Sequence, residues 1–122
     1  MPKRLKSQLN HKLKAWERAY IACAIDTEGT VYLDPRTTDG VHVHYLADII
    51  IANTDERFMA KIQEILGFGN IHEHHYAPEK HYKTVYTIHI TRKNTIKDLL
   101  EQISPYLVIK KKIAKEMLKV VS

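Results

Sequence analysis

Residues 21–29 of this chain read Ile-Ala-Cys-Ala-Ile-Asp-Thr-Glu-Gly, five residues without a charge followed by two carboxylates and a glycine. The larger apolar residues upstream recur at intervals of three and four, the spacing of one helix face; they are Leu9, Leu13, Trp16 and Tyr20. The pattern predicts an amphipathic helix over about residues 9–28. From residue 21 to residue 25 this helix is apolar all round, so neither side of it is expected to meet water.

One side of the predicted helix carries small side chains. Ala15, Ala19, Ala22 and Asp26 fall on one stripe, and Cys23 lies beside it. Small residues at this spacing let a second helix approach closely. The larger residues are then expected to face the core, and they are Trp16, Tyr20, Ile21 and Ile25. The second helix is either the same helix of a twin subunit or another helix of this chain, and the spacing fits both.

The end of the helix carries charge of the wrong sign for stability. A helix C-terminus has partial negative charge, so each acid there costs roughly 0.3–1 kcal/mol. Asp26 and Glu28 nevertheless occupy the last turn, and Gly29 follows, where a left-handed conformation would stop the helix. Two carboxylates held against this field predict a bound cation. An exposed acidic turn at an ordinary helix end fits the spacing equally well.

Length and composition are those of a single globular domain. The chain has 122 residues, of which 44% are hydrophobic and 27% charged. Its 19 Lys and Arg against 14 Asp and Glu give a net charge of +5, which favours a nucleic-acid partner without requiring one. The single cysteine excludes an intramolecular disulfide, and no stretch approaches the roughly 20 apolar residues of a membrane span. We expect an intracellular protein of the cytoplasm or nucleoid, and an organelle is also compatible.

The rest of the chain alternates strand and helix signals. Strands are predicted near residues 30–33, 41–52, 69–76 and 82–91, and helices near 54–67, 94–103 and 105–121. The order is two α-β-β units followed by C-terminal helices. It predicts one α+β domain over residues 1–122, with an antiparallel sheet covered on one face by helices. Residues 1–8 are predicted to be a basic arm that touches phosphates, or a solvated tail.

The nonapeptide at residues 21–29 is similar to the motif that names the LAGLIDADG homing endonucleases. Its residues stand in order for Leu, Ala, Gly, Leu, Ile, Asp, Ala, Asp and Gly. The main departures are Cys23, which makes the helix face bulkier, and Ala24, which thins the core, whereas Glu28 keeps a carboxylate. The order of elements matches the family over nearly the full length. The resemblance therefore implies a saddle-shaped sheet whose uncovered face lies over the DNA major groove.

The resemblance also implies where a metal ion is held. The family's metal-binding acid is the eighth motif position, here Glu28, and the backbone carbonyl of the seventh, here Thr27, is a second ligand. Asp26, at the sixth position, is expected to support the helix contact more than to bind metal. Mg²⁺ is held by one or two carboxylates with waters and phosphate oxygens, and Mn²⁺ is expected to substitute for it.

Two further polar positions match the family's catalytic site. Residues 105–112 resemble the segment after the sheet from which a lysine projects toward the reaction centre, which makes Lys110 the expected catalytic lysine. Lys111 and Lys112 are expected to bind backbone phosphates or to form a solvated helix start. Asn53 matches a polar pocket position, and a turn or helix-cap role beside Thr54 fits it equally well.

Strand alternation, combined with the resemblance, predicts the DNA-contacting face. The residues expected to contact base edges and phosphates are Tyr32, Asp34, Arg36, His42, His44, Asp48, His72, His74, Lys83, Thr87 and His89. Each His-X-His pattern, at 42–44 and 72–74, could instead chelate a transition metal, because His at i and i+2 share a strand face. Groove contacts are the preferred interpretation, although one bulge would reverse the assigned face.

The function that the resemblance implies is site-specific DNA cleavage by a homodimer. One motif supplies one acidic helix end, whereas a duplex has two strands to cut, so two motif helices are expected to pair in a C2 dimer. The residues predicted at this contact are Ala15, Ala19, Ala22, Cys23 and Asp26. The dimer would make a staggered break in a long, near-palindromic site by Mg²⁺-dependent hydrolysis. The alternative predictions are a non-cleaving DNA- or RNA-binding relative, such as an intron maturase or regulator, and a His-based metalloenzyme.

Overall fold

The computed structural model describes residues 6–37, 39–75 and 83–122. In chain order its elements are α1 (Ala15–Glu28), β1 (Gly29–Thr37), β2 (Val43–Asn53), α2 (Glu56–Leu66), β3 (His72–His74), β4 (Val85–Ile90), α3 (Lys93–Ile103), a 3-10 turn (Ser104–Tyr106) and α4 (Lys111–Val121). The strands form one antiparallel sheet in the order β1-β2-β4-β3. The predicted α+β class and its two α-β-β units are confirmed. The start of the predicted basic arm, residues 1–5, and the segment between the third and fourth predicted strands, residues 77–81, lie outside the described residues.

The helices cover one face of the sheet. Residues paired directly across antiparallel strands project to the same face, and the pairs Ile49↔Ile90 and Ile51↔Ile88 are fully buried under the helices. Helix residues complete this core, among them Ile21, Ile25, Met59, Ile62, Leu66, Ile96, Leu99, Leu100 and Met117. The alternate strand residues project to the opposite side, which we call the open face. No helix within the described ranges has the length and apolar character needed to span a membrane.

The motif helix is shorter than predicted. It begins at Ala15 rather than near residue 9, and residues 7–14 contain no helix. Long-range hydrogen bonds hold this segment against α3, because Leu13 N donates to Gln102 Oε1 (2.7 Å) and Gln8 N donates to Thr95 Oγ1 (2.9 Å). Leu9 and Leu13 are still buried. Their helical spacing therefore reflects two anchor points of a packed N-terminal segment and not a helix face.

The β1–β2 hairpin is longer than predicted. Residues 34–37, expected in a loop, pair in β1 with residues 43–46 of β2. Pro35 fits because β1 is an edge strand, where a missing N–H donor is tolerated. Val43 is 60% exposed and Leu46 is 49% exposed, although they project to opposite faces. The distal half of the hairpin therefore projects beyond the helices, with both faces accessible.

Gly29 marks the direct change from α1 to β1. Its φ of −103° and ψ of 163° are extended, so the predicted left-handed cap is wrong. Glycine is required here for space, because a Cβ would lie 2.7 Å from the carbonyl oxygen of Ile25. With no loop between helix and strand, Glu28 is fixed at the junction of the motif helix and the sheet.

Replacing Gly29 tests this close contact. We expect Gly29→Ala to lower the free energy of unfolding by about 1–3 kcal/mol, the usual cost of forcing an extra methyl group into occupied space. Urea unfolding at neutral pH measures the change. Thr30→Ala, at the next and exposed position, is the control and is expected to stay within about 0.5 kcal/mol. An unchanged midpoint for Gly29→Ala would contradict the contact.

Candidate functional site

Glu28 presents a carboxylate at the C-terminal end of the motif helix. The residue is exposed, α1 has no basic residue in its last turn, and no other described residue bonds or pairs with the Glu28 side chain. In the ranges that the structure covers, no three His, Cys, Asp or Glu side chains are grouped to hold a metal ion. One chain therefore offers a single unpaired carboxylate here. This donor set fits Mg²⁺, which usually keeps several waters and binds one or two carboxylates together with substrate phosphates.

The Asp26 carboxylate hydrogen-bonds to the backbone of the segment before α4. It is buried, and its two carboxylate oxygens accept hydrogen bonds from Val108 N (2.8 Å) and Lys110 N (2.9 Å). Both oxygens are thus occupied by backbone donors. Asp26, the less favoured metal ligand of the sequence prediction, thus caps residues 108–110, and metal binding by Asp26 stays a prediction.

These hydrogen bonds make the ionised form of Asp26 favourable. Burial raises the pKa of Asp26, but the backbone N–H groups of Lys110, Val108 and Ile109 and the charge of Lys110 outweigh burial, so the pKa lies below its ordinary value of 3.8. A carboxyl whose folded pKa is lowered contributes stability that is complete above the unfolded pKa. That contribution is lost as the pH falls through the folded pKa.

Asp26→Asn tests this pH dependence. At pH 7 we expect a loss of about 1.5–3 kcal/mol, because the amide nitrogen cannot accept from a backbone N–H and a hydrogen bond to a charged group is lost. The difference from wild type should shrink as the pH is lowered from about 5 to 2, because the wild-type carboxyl then takes up a proton. Urea unfolding across this range measures it. Asp98→Asn is the control. A loss of stability in Asp26→Asn that is equal at every pH would contradict the assignment of an ionised Asp26 carboxylate as the hydrogen-bond acceptor.

Lys110, the residue directly before α4, contacts the same end of the motif helix. Its Nζ donates to the backbone carbonyl oxygen of Asp26 at 2.8 Å, across a sequence separation of 84 residues. The ammonium therefore lies beside the negative end of the helix dipole, two residues from Glu28. Lys111 and Lys112 are the exposed first residues of α4.

Thr27 and Asn53 have local structural contacts. Thr27 Oγ1 donates to the carbonyl of Cys23 (2.7 Å), and its own carbonyl belongs to the last helical turn, where C=O groups lack intrahelical partners. Asn53 Oδ1 accepts from Asp55 N (2.7 Å), which shapes the turn before α2. This is the turn role that the sequence allowed for Asn53 alongside a role in the catalytic pocket.

The accessible face of α1 differs from the predicted stripe. Ala15, Ala19 and Cys23 are exposed at intervals of four residues, and we call these three the small-residue stripe. Ala22 and Asp26, predicted on the same stripe, are buried within the chain. Trp16, predicted in the core, is 51% exposed, and Lys61 Nζ lies 5.7 Å from its ring centroid. Residues 21, 22, 24, 25 and 26 are all buried in the chain's own core. The buried face of α1 is therefore rotated away from Trp16 and toward Ala22 and Asp26, compared with the predicted face.

An exposed apolar pair near the helix end was missed from the sequence. Val108 is 79% and Ile109 70% exposed, and the bond from Val108 N to Asp26 places the pair at the C-terminal end of α1. Two branched apolar residues directly before three lysines were the available signal.

The open face of the sheet carries the residues predicted from strand alternation together with the family resemblance. Register assigns this face through pairs such as Tyr32↔Asp48, Arg36↔His44, Ile50↔His89 and His72↔Thr87. The strand residues of the predicted contact set on this face are Tyr32, Asp34, Arg36, His44, Asp48, His72, His74, Thr87 and His89. His42 and Lys83 lie just outside strand ends and are exposed. The pairing is continuous, so no bulge reverses the face, and contact with DNA stays a prediction.

Three histidines of the open face lie near a hydroxyl, a carboxylate or each other. His74 Nε2 lies 3.0 Å from Thr87 Oγ1, and His89 Nδ1 lies 3.9 Å from Asp48 Oδ2. The rings of His72 and His89 meet edge to face at 5.9 Å. The face therefore offers a mixture of hydrogen-bond donors and acceptors, which suits a surface that reads polar edges.

Comparison with known proteins shows the family. The family model described as LAGLIDADG-like domain matches residues 15–104, from the first residue of α1 to the residue after α3, which is more than half of the chain. The chain belongs to the LAGLIDADG family. No match is found among curated proteins.

Solved homing endonucleases share the fold of this LAGLIDADG chain. I-CvuI, in complex with the I-CreI target in the presence of Mg with the DNA not cleaved, has a TM-score of 0.69 and 18% identity, covering 87% of this chain and 66% of that one. The archaeal intron-encoded I-Vdi141I, complexed with DNA, has a TM-score of 0.66 and 19% identity, covering 87% of this chain and 67% of that one. I-TnaI has a TM-score of 0.63 and 17% identity, covering 91% of this chain and 73% of that one. This LAGLIDADG chain thus spans about two thirds of the length of I-CvuI and I-Vdi141I.

Proposed function

We propose that this LAGLIDADG chain is a site-specific DNA endonuclease of the homing type, which hydrolyses phosphodiester bonds with a divalent metal ion. The observation that supports the proposal is that Lys110 bonds the same end of the motif helix that carries Glu28. The Lys110 ammonium bonds the carbonyl of Asp26, two residues before the unpaired carboxylate of Glu28. Phosphodiester hydrolysis needs both a metal-binding acid and a positive charge near the phosphate.

Glu28 would hold the metal ion, together with the backbone carbonyl of Thr27. When bound, Mg²⁺ would neutralise developing charge on the phosphate and activate a water molecule. Lys110, kept beside the helix end by its bond to the Asp26 carbonyl, would stabilise negative charge on the phosphate or polarise the attacking water. Structures of I-CvuI with 2 mM Mg and with 2 mM Ca support a divalent ion, and Mn²⁺ is expected to replace Mg²⁺.

Double-stranded DNA is the proposed partner of the open face. The net charge of +5 and the mixed donors and acceptors of that face favour it. The structures of I-CvuI and I-Vdi141I, which share the fold, are of complexes with a DNA target and with DNA, respectively. Lys111 and Lys112, which are exposed at the start of α4, would contact backbone phosphates, so affinity should fall steeply as salt is raised.

A C2 homodimer is the proposed active form. One chain supplies one Glu28, whereas a double-strand break needs two metal-binding helix ends. The small-residue stripe leaves room for a second helix along α1, and the exposed Trp16, Val108 and Ile109 provide apolar surface at its two ends. The dimer would recognise a long, near-palindromic site and make a staggered cut.

Selection from a randomised duplex library tests the proposed activity. The protein is incubated with the library in Mg²⁺, with Mn²⁺ and Ca²⁺ in parallel, and the cleaved ends are sequenced. We expect one near-palindromic consensus with both strands cut at a fixed offset in Mg²⁺ and Mn²⁺. Tight binding of one sequence without cleavage in either ion would favour the non-cleaving maturase or regulator. Stoichiometric zinc or iron in untagged protein would favour the His-based metalloenzyme.

A further inference from the structure

Arg36 is the only arginine in the four strands, and it stands on the open face of the projecting hairpin. Its Nε lies 2.7 Å from Oδ2 of Asp34, which is on the same strand face two residues earlier. The Arg36 side chain is 57% exposed and that of Asp34 is 34% exposed. The residues directly across on β2 are His44 and Leu46, and their side chains do not bond to the side chains of this pair. The arginine is thus held by one carboxylate and is otherwise accessible.

The pair suits recognition better than stability. An exposed ion pair contributes little to folding, but a carboxylate on one edge of a guanidinium restricts its orientation and leaves the other N–H groups pointing away. Guanine presents two acceptors, O6 and N7, in the major groove, and the arginine fork bonds both. A lone phosphate is a poorer match, because the carboxylate of Asp34 would repel it.

We propose that Arg36 reads a guanine in the major groove of the target and that Asp34 is the positioning residue that orients it. This assignment rests on the proposed DNA-binding function and deepens it. Arg36 lies seven residues along β1 from Gly29. At about 3.3 Å per residue it is roughly 23 Å from the helix end, so the guanine belongs to the outer part of each half-site.

A binding selection tests the assignment independently of cleavage. Duplexes bound in Ca²⁺ are selected for wild type, and single base-pair substitutions are then measured at fixed salt. We expect one outer guanine per half-site whose replacement weakens wild-type binding by roughly 10- to 100-fold. In Arg36→Ala that position should lose its preference, while the other positions keep theirs. Because the measurement is binding, it separates this assignment from a failure of the endonuclease proposal.

The matched control is Arg57, which pairs with Asp55 at 3.0 Å on α2, away from the open face. Arg57→Ala removes the same charge and is expected to leave the base profile unchanged. A uniform loss of affinity for Arg36→Ala at all sequences, with a smaller dependence on salt, would identify a phosphate contact and overturn the proposal. Absence of any sequence preference in the wild-type selection would also overturn it.

Asp34→Asn separates positioning from simple charge. Removing the carboxylate should raise affinity for non-specific DNA, because repulsion of phosphates is lost, and should lower discrimination at the Arg36 guanine. A purely electrostatic role would raise affinity for every sequence alike and leave discrimination at the guanine unchanged, so it cannot produce both effects. Unchanged discrimination in Asp34→Asn, with the same unfolding midpoint as wild type, would refute the positioning role.

Discussion

We expect Glu28→Gln to lower the rate of Mg²⁺-dependent cleavage by about 10²–10³-fold or more, while DNA affinity stays within a few-fold of wild type. Gln keeps the shape of the side chain but loses the charge that a hard cation requires. The substitution should not disturb folding, because the carboxylate is exposed and no other residue in the described ranges bonds to it.

Single-turnover cleavage of the selected duplex in Mg²⁺, at saturating protein, measures this prediction, and binding is followed separately in Ca²⁺. Glu116→Gln makes the same change of charge on the exposed side of α4 and is the control for net charge. It should cleave at the wild-type rate. Cleavage by Glu28→Gln within about threefold of wild type would remove Glu28 from the metal site and with it the proposed chemistry.

The fold and the open face could be predicted because they depend on local periodicity. Alternation along β2 assigned His44 and Asp48 to one face, and the register agrees. Arg36, expected in a loop, lies on the same face because β1 extends farther than predicted. The α-β-β order followed from turn residues and helical spacing, and Gly67 ends α2 in the left-handed conformation that its position predicts.

The motif helix was harder to predict because its neighbours are distant in sequence. Spacing could not show that Gln102 and Thr95 hold residues 8–13 out of a helix, nor which side of an all-apolar segment meets the core. Trp16 was therefore assigned to the wrong face. Gly29 was assigned the wrong conformation, since its requirement is a contact with Ile25 and not a positive φ.

The link between Asp26 and Lys110 shows the same limit at the candidate site. Both residues were singled out separately, one as a helix-contact acid and one as a lysine near the phosphate. Only the tertiary structure shows that the Asp26 carboxylate binds Lys110 N and that its carbonyl binds Lys110 Nζ. A buried acid that was expected at the dimer contact therefore positions the proposed catalytic lysine within its own chain.

Ala19→Arg is expected to convert the protein to a monomer and to abolish double-strand cleavage. Ala19 is the middle residue of the small-residue stripe, and a long charged side chain there would keep a second α1 from approaching. Glu28 and Lys110 are untouched, so loss of cleavage would follow from loss of the second helix end. Sedimentation equilibrium gives the oligomeric state, and cleavage of each strand is followed with separate labels. Ala60→Arg, at an exposed alanine of α2, is the control and should remain dimeric and active.

Cys23 offers a second measurement of the same contact without changing the stripe. It is the single cysteine of the chain and is exposed between Ala19 and Thr27. In a C2 dimer whose two-fold axis passes beside this stripe, Cys23 lies near its own copy, so mild oxidation should give a disulfide-linked dimer in wild type and in Ala60→Arg, but not in Ala19→Arg. Because a symmetric contact brings each residue close to its equivalent only near the two-fold axis, efficient cross-linking at Cys23 would place that axis on α1. A wild-type protein that is monomeric at concentrations where it cuts both strands would contradict the dimer and require one chain to cut the two strands in turn.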